Sequence, residues 1–87
     1  MLNRIQPIVT SAQLGALLLN VRKSRKLTQT QLGARLGLSQ KRVSELELAP
    51  GTLSLDQLLA ICAQLGLQLS LQLREDNQPA QGSAPVW

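Results

Sequence analysis

Leu27-Thr28-Gln29-Thr30-Gln31-Leu32-Gly33-Ala34-Arg35-Leu36-Gly37-Leu38-Ser39-Gln40-Lys41-Arg42-Val43 is the stretch that decides how this chain folds. It holds two helix starts in close succession. Thr28 is preceded by Leu27 and followed by Gln31 and Leu32, which is a capping box joined to a hydrophobic staple. The hydroxyl accepts from the amide of the third helical residue, the glutamine side chain reaches back to the cap amide, and the flanking apolar pair sets the angle at which the chain comes in. Ser39 repeats the cap and staple with Leu38 and Val43, but Arg42 stands where the glutamine belongs. Only Gly37-Leu38 separates the two helices. So tight a corner needs a small residue where the helices touch and a left-handed glycine at the turn. Gly33 and Gly37 supply them.

The same pattern recurs on either side, as Val9-Thr10…Gln13-Leu14 and Leu53-Ser54…Gln57-Leu58. Four helices therefore start near 10, 28, 39 and 54. Leu14, Leu17, Leu18 and Val21 form the core-facing stripe of the first, and Leu55, Leu58, Leu59, Cys62 and Leu65 that of the last. Gly66 closes the last helix, and Pro50-Gly51 marks the turn before it. Beyond Gly66 the period changes. Leu67, Leu69, Leu71 and Leu73 alternate with polar residues, the pattern of a half-buried strand. A lone strand needs a partner, either Ile5–Val9, which Pro7 weakens, or its own copy across a twofold axis. The second is favoured because a chain of 87 residues buries only roughly 60–65% of its unfolded surface. The domain plan is an N-terminal arm over 1–9, a helical domain over 10–66, a dimerisation strand over 67–74 and a disordered polar tail over 75–87. That tail ends in Trp87, the sole aromatic residue. A tryptophan on a tether is either incidental or an anchor for a partner's pocket.

Composition removes whole classes of function. The chain has no His and one Cys, so a His/Cys zinc site, a Ser-His-Asp or Cys-His nucleophile and a disulfide framework are excluded within one chain. Its five acidic residues are too scattered for a two-carboxylate hydrolase or a calcium loop. The expectation is a protein that is not an enzyme and takes no cofactor or metal. Met1–Val21 lacks the uninterrupted apolar run and cleavage site of a signal peptide, and nothing approaches a membrane span. A cytoplasmic location is expected.

The net charge is +4, but its placement says more. Arg22, Lys23, Arg25, Lys26, Arg35, Lys41 and Arg42 lie in one segment, and every acid comes at 45 or later. Such a block is an electrostatic footprint for a polyanion such as nucleic acid, or else a solvated or membrane-surface basic helix.

Leu27-Thr28-Gln29…Leu32-Gly33…Leu36-Gly37-Leu38-Ser39-Gln40…Val43-Ser44…Leu46-Glu47 resembles the helix-turn-helix of the Xre/Cro family over about positions 14–67. The resemblance implies a mainly α, four- to five-helix, lambda-repressor-like domain, here with one C-terminal β-strand pairing across a homodimer. Gly33 departs from it, because the family usually has Ala there; a helical glycine should loosen its helix by up to ~1 kcal/mol. The helix after Ser39 then lies in the major groove of DNA. With Val43 and Leu46 inward, Gln40, Lys41, Ser44 and Glu45 face out. Gln40 suits adenine N6 and N7, Lys41 suits guanine O6 and N7, and Ser44 suits a base or a phosphate. Glu45 either accepts from cytosine or pairs with Lys41, and the pairing is preferred. The resemblance gives Gln29 a phosphate contact aided by its helix N-terminus. Arg42 is a further phosphate candidate, while Thr28 and Ser39 are caps first and phosphate ligands second. Arg22 and Glu47 take the family's structural salt bridge.

The alternating strand and the Trp-ended tail narrow the resemblance to HipB-like antitoxins. These dimerise through C-terminal strands, bind palindromic operators in their own promoter and hold a HipA-type serine/threonine kinase toxin. The expected partners are double-stranded operator DNA, a second copy and such a toxin, with no membrane. The alternatives are a stand-alone Xre/Cro-type regulator and a protein-interaction module of the same fold.

Overall fold

The computed structural model describes residues 5–74. The first four residues of the arm and the 75–87 tail with Trp87 lie outside the described residues. Four helices follow one another: α1 (Ser11–Ser24), α2 (Gln29–Leu36), α3 (Gln40–Leu48) and α4 (Leu55–Leu65), with a 3-10 turn at Pro50–Thr52 before α4. Each begins at the cap its sequence announces. Thr10, Thr28 and Ser54 form complete capping boxes with Gln13, Gln31 and Gln57. Ser39 accepts from the Arg42 amide at 3.0 Å, and the box stays open because arginine has no acceptor to return. Gly37 and Gly66 end α2 and α4 with φ of 72° and 75°.

The core is built from Leu18 of α1, Leu32 of α2, Val43 and Leu46 of α3, and Ile61 and Leu65 of α4. Leu14, Val21, Leu27, Leu36, Leu38, Leu53 and Leu67 pack around it. Burying each such aliphatic side chain is worth about 1.5–3 kcal/mol. The residues before the caps of α2, α3 and α4, Leu27, Leu38 and Leu53, belong to this shell. Val9, before α1, stays 66% exposed.

One expectation about packing needs correction. On α4 the buried stripe is Ile61, Cys62 and Leu65, whereas Leu55 and Leu59 are exposed. Counting back from Leu65, the i, i+3, i+4, i+7 face runs through Leu58, Ile61 and Cys62, which puts Leu55 and Leu59 on the neighbouring face. The helix therefore has one buried apolar face and one open one. Gly33 is the small residue expected where the helices touch, and nothing larger fits there. A Cβ there would stand 2.5 Å from the Leu38 carbonyl oxygen and 3.2 Å from Cγ2 of Val43. In this chain the α2–α3 corner closes more tightly than a methyl group allows. Gly15 does the same for α1 against α3, where a Cβ would lie 2.5 Å from the Glu47 carbonyl oxygen.

The expected strand is not formed among the described residues. Residues 67–74 carry no regular structure, and Ile5–Val9 does not pair with them. An extended segment becomes a strand only when a ladder partner supplies its hydrogen bonds, and none of the described residues does so. Leu67 docks on the core, but Leu71 is 93% and Leu73 77% exposed.

Because the obstacle at position 33 is backbone, Gly33→Ala lowers stability by about 1–3 kcal/mol. Helix propensity alone would raise it by up to ~1 kcal/mol. Urea unfolding midpoints of the two proteins give the sign directly.

Candidate nucleic-acid interface

The tight corner brings the first residues of α2 and α3 together. Gln40 donates from Nε2 to Oε1 of Gln29 at 2.6 Å, joining the starts of the two helices across the turn. Gln29 donates in turn from its own Nε2 to Oε1 of Glu47 at 2.9 Å. Beneath them lies an almost fully buried ion pair. Arg22 Nε stands 2.6 Å from Glu47 Oε2, with side chains 8% and 6% exposed. Arg22 Nη2 donates to Glu47 Oε1 at 3.1 Å, and Nη1 donates to the Leu27 carbonyl at 2.9 Å. The guanidinium thus holds α3 and the start of the α2 segment to α1. A bidentate pair with a third guanidinium N–H on a carbonyl is the kind of arrangement in which buried charges are tolerated. The Arg22–Glu47 salt bridge was expected. The continuation through Gln29 to Gln40 was not, and its one signal in the sequence is that both glutamines follow a cap directly.

The outward stripe of α3 is as read: Gln40, Lys41 and Glu45 are exposed and Ser44 half-buried, while Val43 and Leu46 face the core. Glu45, however, pairs with Arg42 at 3.4 Å and not with Lys41. The longer, forked guanidinium reaches forward to position i+3, and both partners stay partly exposed, so the pair is worth at most about 0.5 kcal/mol. Thr28 and Ser39 are engaged as caps through their hydroxyl oxygens, each accepting at 3.0 Å.

The basic block divides. Arg22 is committed to Glu47. Arg25 is structural as well, since its Nε donates to the Leu65 carbonyl at 3.0 Å and caps the end of α4. Lys23, Lys26, Arg35 and Lys41 are exposed. Cys62 is buried, and desolvation pushes its thiol above the ordinary value, as suits a small core residue. Among the described residues no group of His, Cys, Asp or Glu is placed to hold a metal ion, and no helix is long and apolar enough to cross a membrane.

A helix-turn-helix family pattern matches residues 18–72, well over half of the chain. The chain belongs to the helix-turn-helix family. Solved structures refine the placement of this helix-turn-helix protein. The structure of a HipA–HipB–O2–O3 complex contains a chain 28% identical to it, with a TM-score of 0.71, covering 78% of this chain and 96% of that one. A HipB variant in a complex with an O2 20mer is likewise 28% identical, with a TM-score of 0.72 over 79% and 96%. A HipB–O1–O2 complex matches to a TM-score of 0.71. Among curated proteins no sequence match is found. This is a HipB-like, Xre-type helix-turn-helix protein, a DNA-binding regulator by family.

Within this helix-turn-helix domain, removing one member of the buried pair strands the other. Arg22→Met should cost about 3–5 kcal/mol, enough to leave much of so small a domain unfolded at 25 °C. Thermal unfolding followed by circular dichroism measures the loss.

Proposed function

We propose that the protein acts as a homodimeric repressor that binds an inverted-repeat operator in its own promoter, in the cytoplasm, and that it is the antitoxin partner of a HipA-type serine/threonine kinase. The observation that carries the DNA-reading half is the placement of exposed Gln40 and Lys41 at the start of α3, beside the N-terminus of α2. A helix presented in this way reads base edges in the major groove with its first residues while the preceding helix crosses the phosphate backbone. Gln40 reads adenine and Lys41 guanine. Ser44 contacts a base or phosphate. Gln29 and Arg42 hold phosphates, with Thr28 and Ser39 adding to the caps' own work. Lys23, Lys26 and Arg35 contribute a surrounding positive field.

Dimerisation is supported by what one copy leaves uncovered. Leu55 and Leu59 on α4, with Leu69, Leu71 and Leu73 beyond it, are exposed leucines in a chain short of core. Two copies pairing residues 67–74 give each extended segment its missing ladder. Half-sites then lie about one DNA turn apart, roughly 34 Å. The toxin half of the proposal rests on likeness to a HipB chain that is found together with HipA. Trp87 is its proposed anchor on the kinase, because tryptophan concentrates binding energy at interfaces.

Gel-shift titration against the chain's own upstream promoter tests the first half. Affinity falls steeply between 50 and 200 mM salt, by a factor of 10 or more, as phosphate contacts are screened. Gln40→Ala costs about 1–3 kcal/mol on the operator and far less on random DNA; equal losses on both remove its reading role. Leu71→Glu gives a monomer by analytical ultracentrifugation with weakened operator binding. Pull-down of a kinase encoded beside this chain, with and without residues 85–87, separates an antitoxin from a stand-alone regulator.

A further inference from the structure

We infer that Glu47 is a positioning residue for base recognition, and that the buried Arg22–Glu47 pair sets which way round the Gln40 amide faces the DNA. The inference rests on the proposed role of Gln40 in reading bases. It is carried by the continuous set of hydrogen bonds from Arg22 through Glu47 and Gln29 to Gln40.

The chemistry of the donors and acceptors gives that set a direction. An ionised carboxylate accepts hydrogen bonds and donates none, and a guanidinium does the reverse. Arg22, with its side chain 8% exposed, donates to both Glu47 oxygens, so the carboxylate faces its neighbours as an acceptor. The group of Gln29 that faces Glu47 must then be its NH2, at 2.9 Å. That leaves the Gln29 carbonyl oxygen facing α3. Only the NH2 of Gln40 can meet it, as it does at 2.6 Å. One end of Gln40 is thereby spoken for, and what remains toward solvent is its carbonyl oxygen and one N–H. An acceptor beside a donor is the complement of adenine, which offers the N6 donor beside the N7 acceptor. A free glutamine amide at the end of a three-torsion side chain presents either face and many angles. Held by Gln29, it presents one. Glu47 never touches DNA in this arrangement; it removes the wrong amide orientation before DNA arrives.

A purely structural Glu47 and a positioning Glu47 differ in what their loss does to preference among bases. Loss of fold lowers the active fraction and weakens every sequence alike, whereas loss of positioning changes the ratio between bases at one place in each half-site. The test therefore uses ratios. The full chain is incubated with a pool of DNA duplexes randomised across the binding window, and the bound fraction is sequenced for wild type, Gln29→Met and the double variant Arg22→Met/Glu47→Met. The double variant is chosen because replacing a buried ion pair by apolar side chains of similar size commonly preserves folding; circular dichroism checks that it does. Wild type should prefer adenine at one position per half-site by roughly 5- to 100-fold. Both variants should bring that ratio to within about 3-fold of parity while preferences at the other positions stand. A folded double variant with the wild-type profile overturns the inference. So does a double variant that fails to fold while Gln29→Met keeps the full adenine ratio, since the amide link then has no influence to transmit. A wild-type chain that enriches no sequence at all refutes base reading by Gln40 itself, and is recognised by the absence of any preferred position.

Discussion

The way the first turns of α2 and α3 are presented depends on the ion pair between Arg22 and Glu47. It lies where α1, α2 and α3 converge, beneath the first turns of the two helices of the motif. A domain of this size has a core of six main side chains, and aliphatic packing alone tolerates small rotations of one helix against another. A bidentate guanidinium–carboxylate pair does not, because both hydrogen bonds fail together when the angle changes. The leucines supply most of the driving force for collapse. The pair determines the angle at which collapse ends.

Close backbone approach is the second constraint. Gly15 and Gly33 sit where helix meets helix with no room for a Cβ, and both lie within a few residues of the pair in space through Glu47 and Val43. Small residues bring the backbones together, and the ion pair then has the short reach it needs. Arg25, bonded to the end of α4, ties the fourth helix to the same framework. Two of the cations that their position in the sequence would assign to a loose basic surface, Arg22 and Arg25, are thus parts of the scaffold.

The helix starts were legible in the sequence because capping is local: a hydroxyl, a glutamine three residues on and a flanking apolar pair are chemistry within one turn. The corner was legible for the same reason, through Gly37. What escaped was non-local. Whether Leu55 or Ile61 faces inward depends on how α4 is rotated against the other helices, and a helix rich in apolar residues does not announce its rotation. Whether Glu45 prefers Arg42 or Lys41 depends on rotamers. The link from Gln29 to both Glu47 and Gln40 exists only once three helices have met. Residues 67–74 show the limit from the other side, since their alternation is plain but a ladder requires a partner that no other described residue provides.

The capping boxes use glutamine where glutamate would serve equally well as an acceptor. The first turns of α1, α2 and α3 accordingly carry no acidic residue, whereas α4, which stands behind them, has Asp56. A neutral amide satisfies the cap amide without cancelling the partial positive charge of the helix end. The helix dipoles at α2 and α3 therefore remain available to an approaching polyanion. With no histidine anywhere in the sequence, the attraction also lacks the side chain that ordinarily makes charge respond to physiological acidity. What tunes such an attraction is then the concentration of ions in solution.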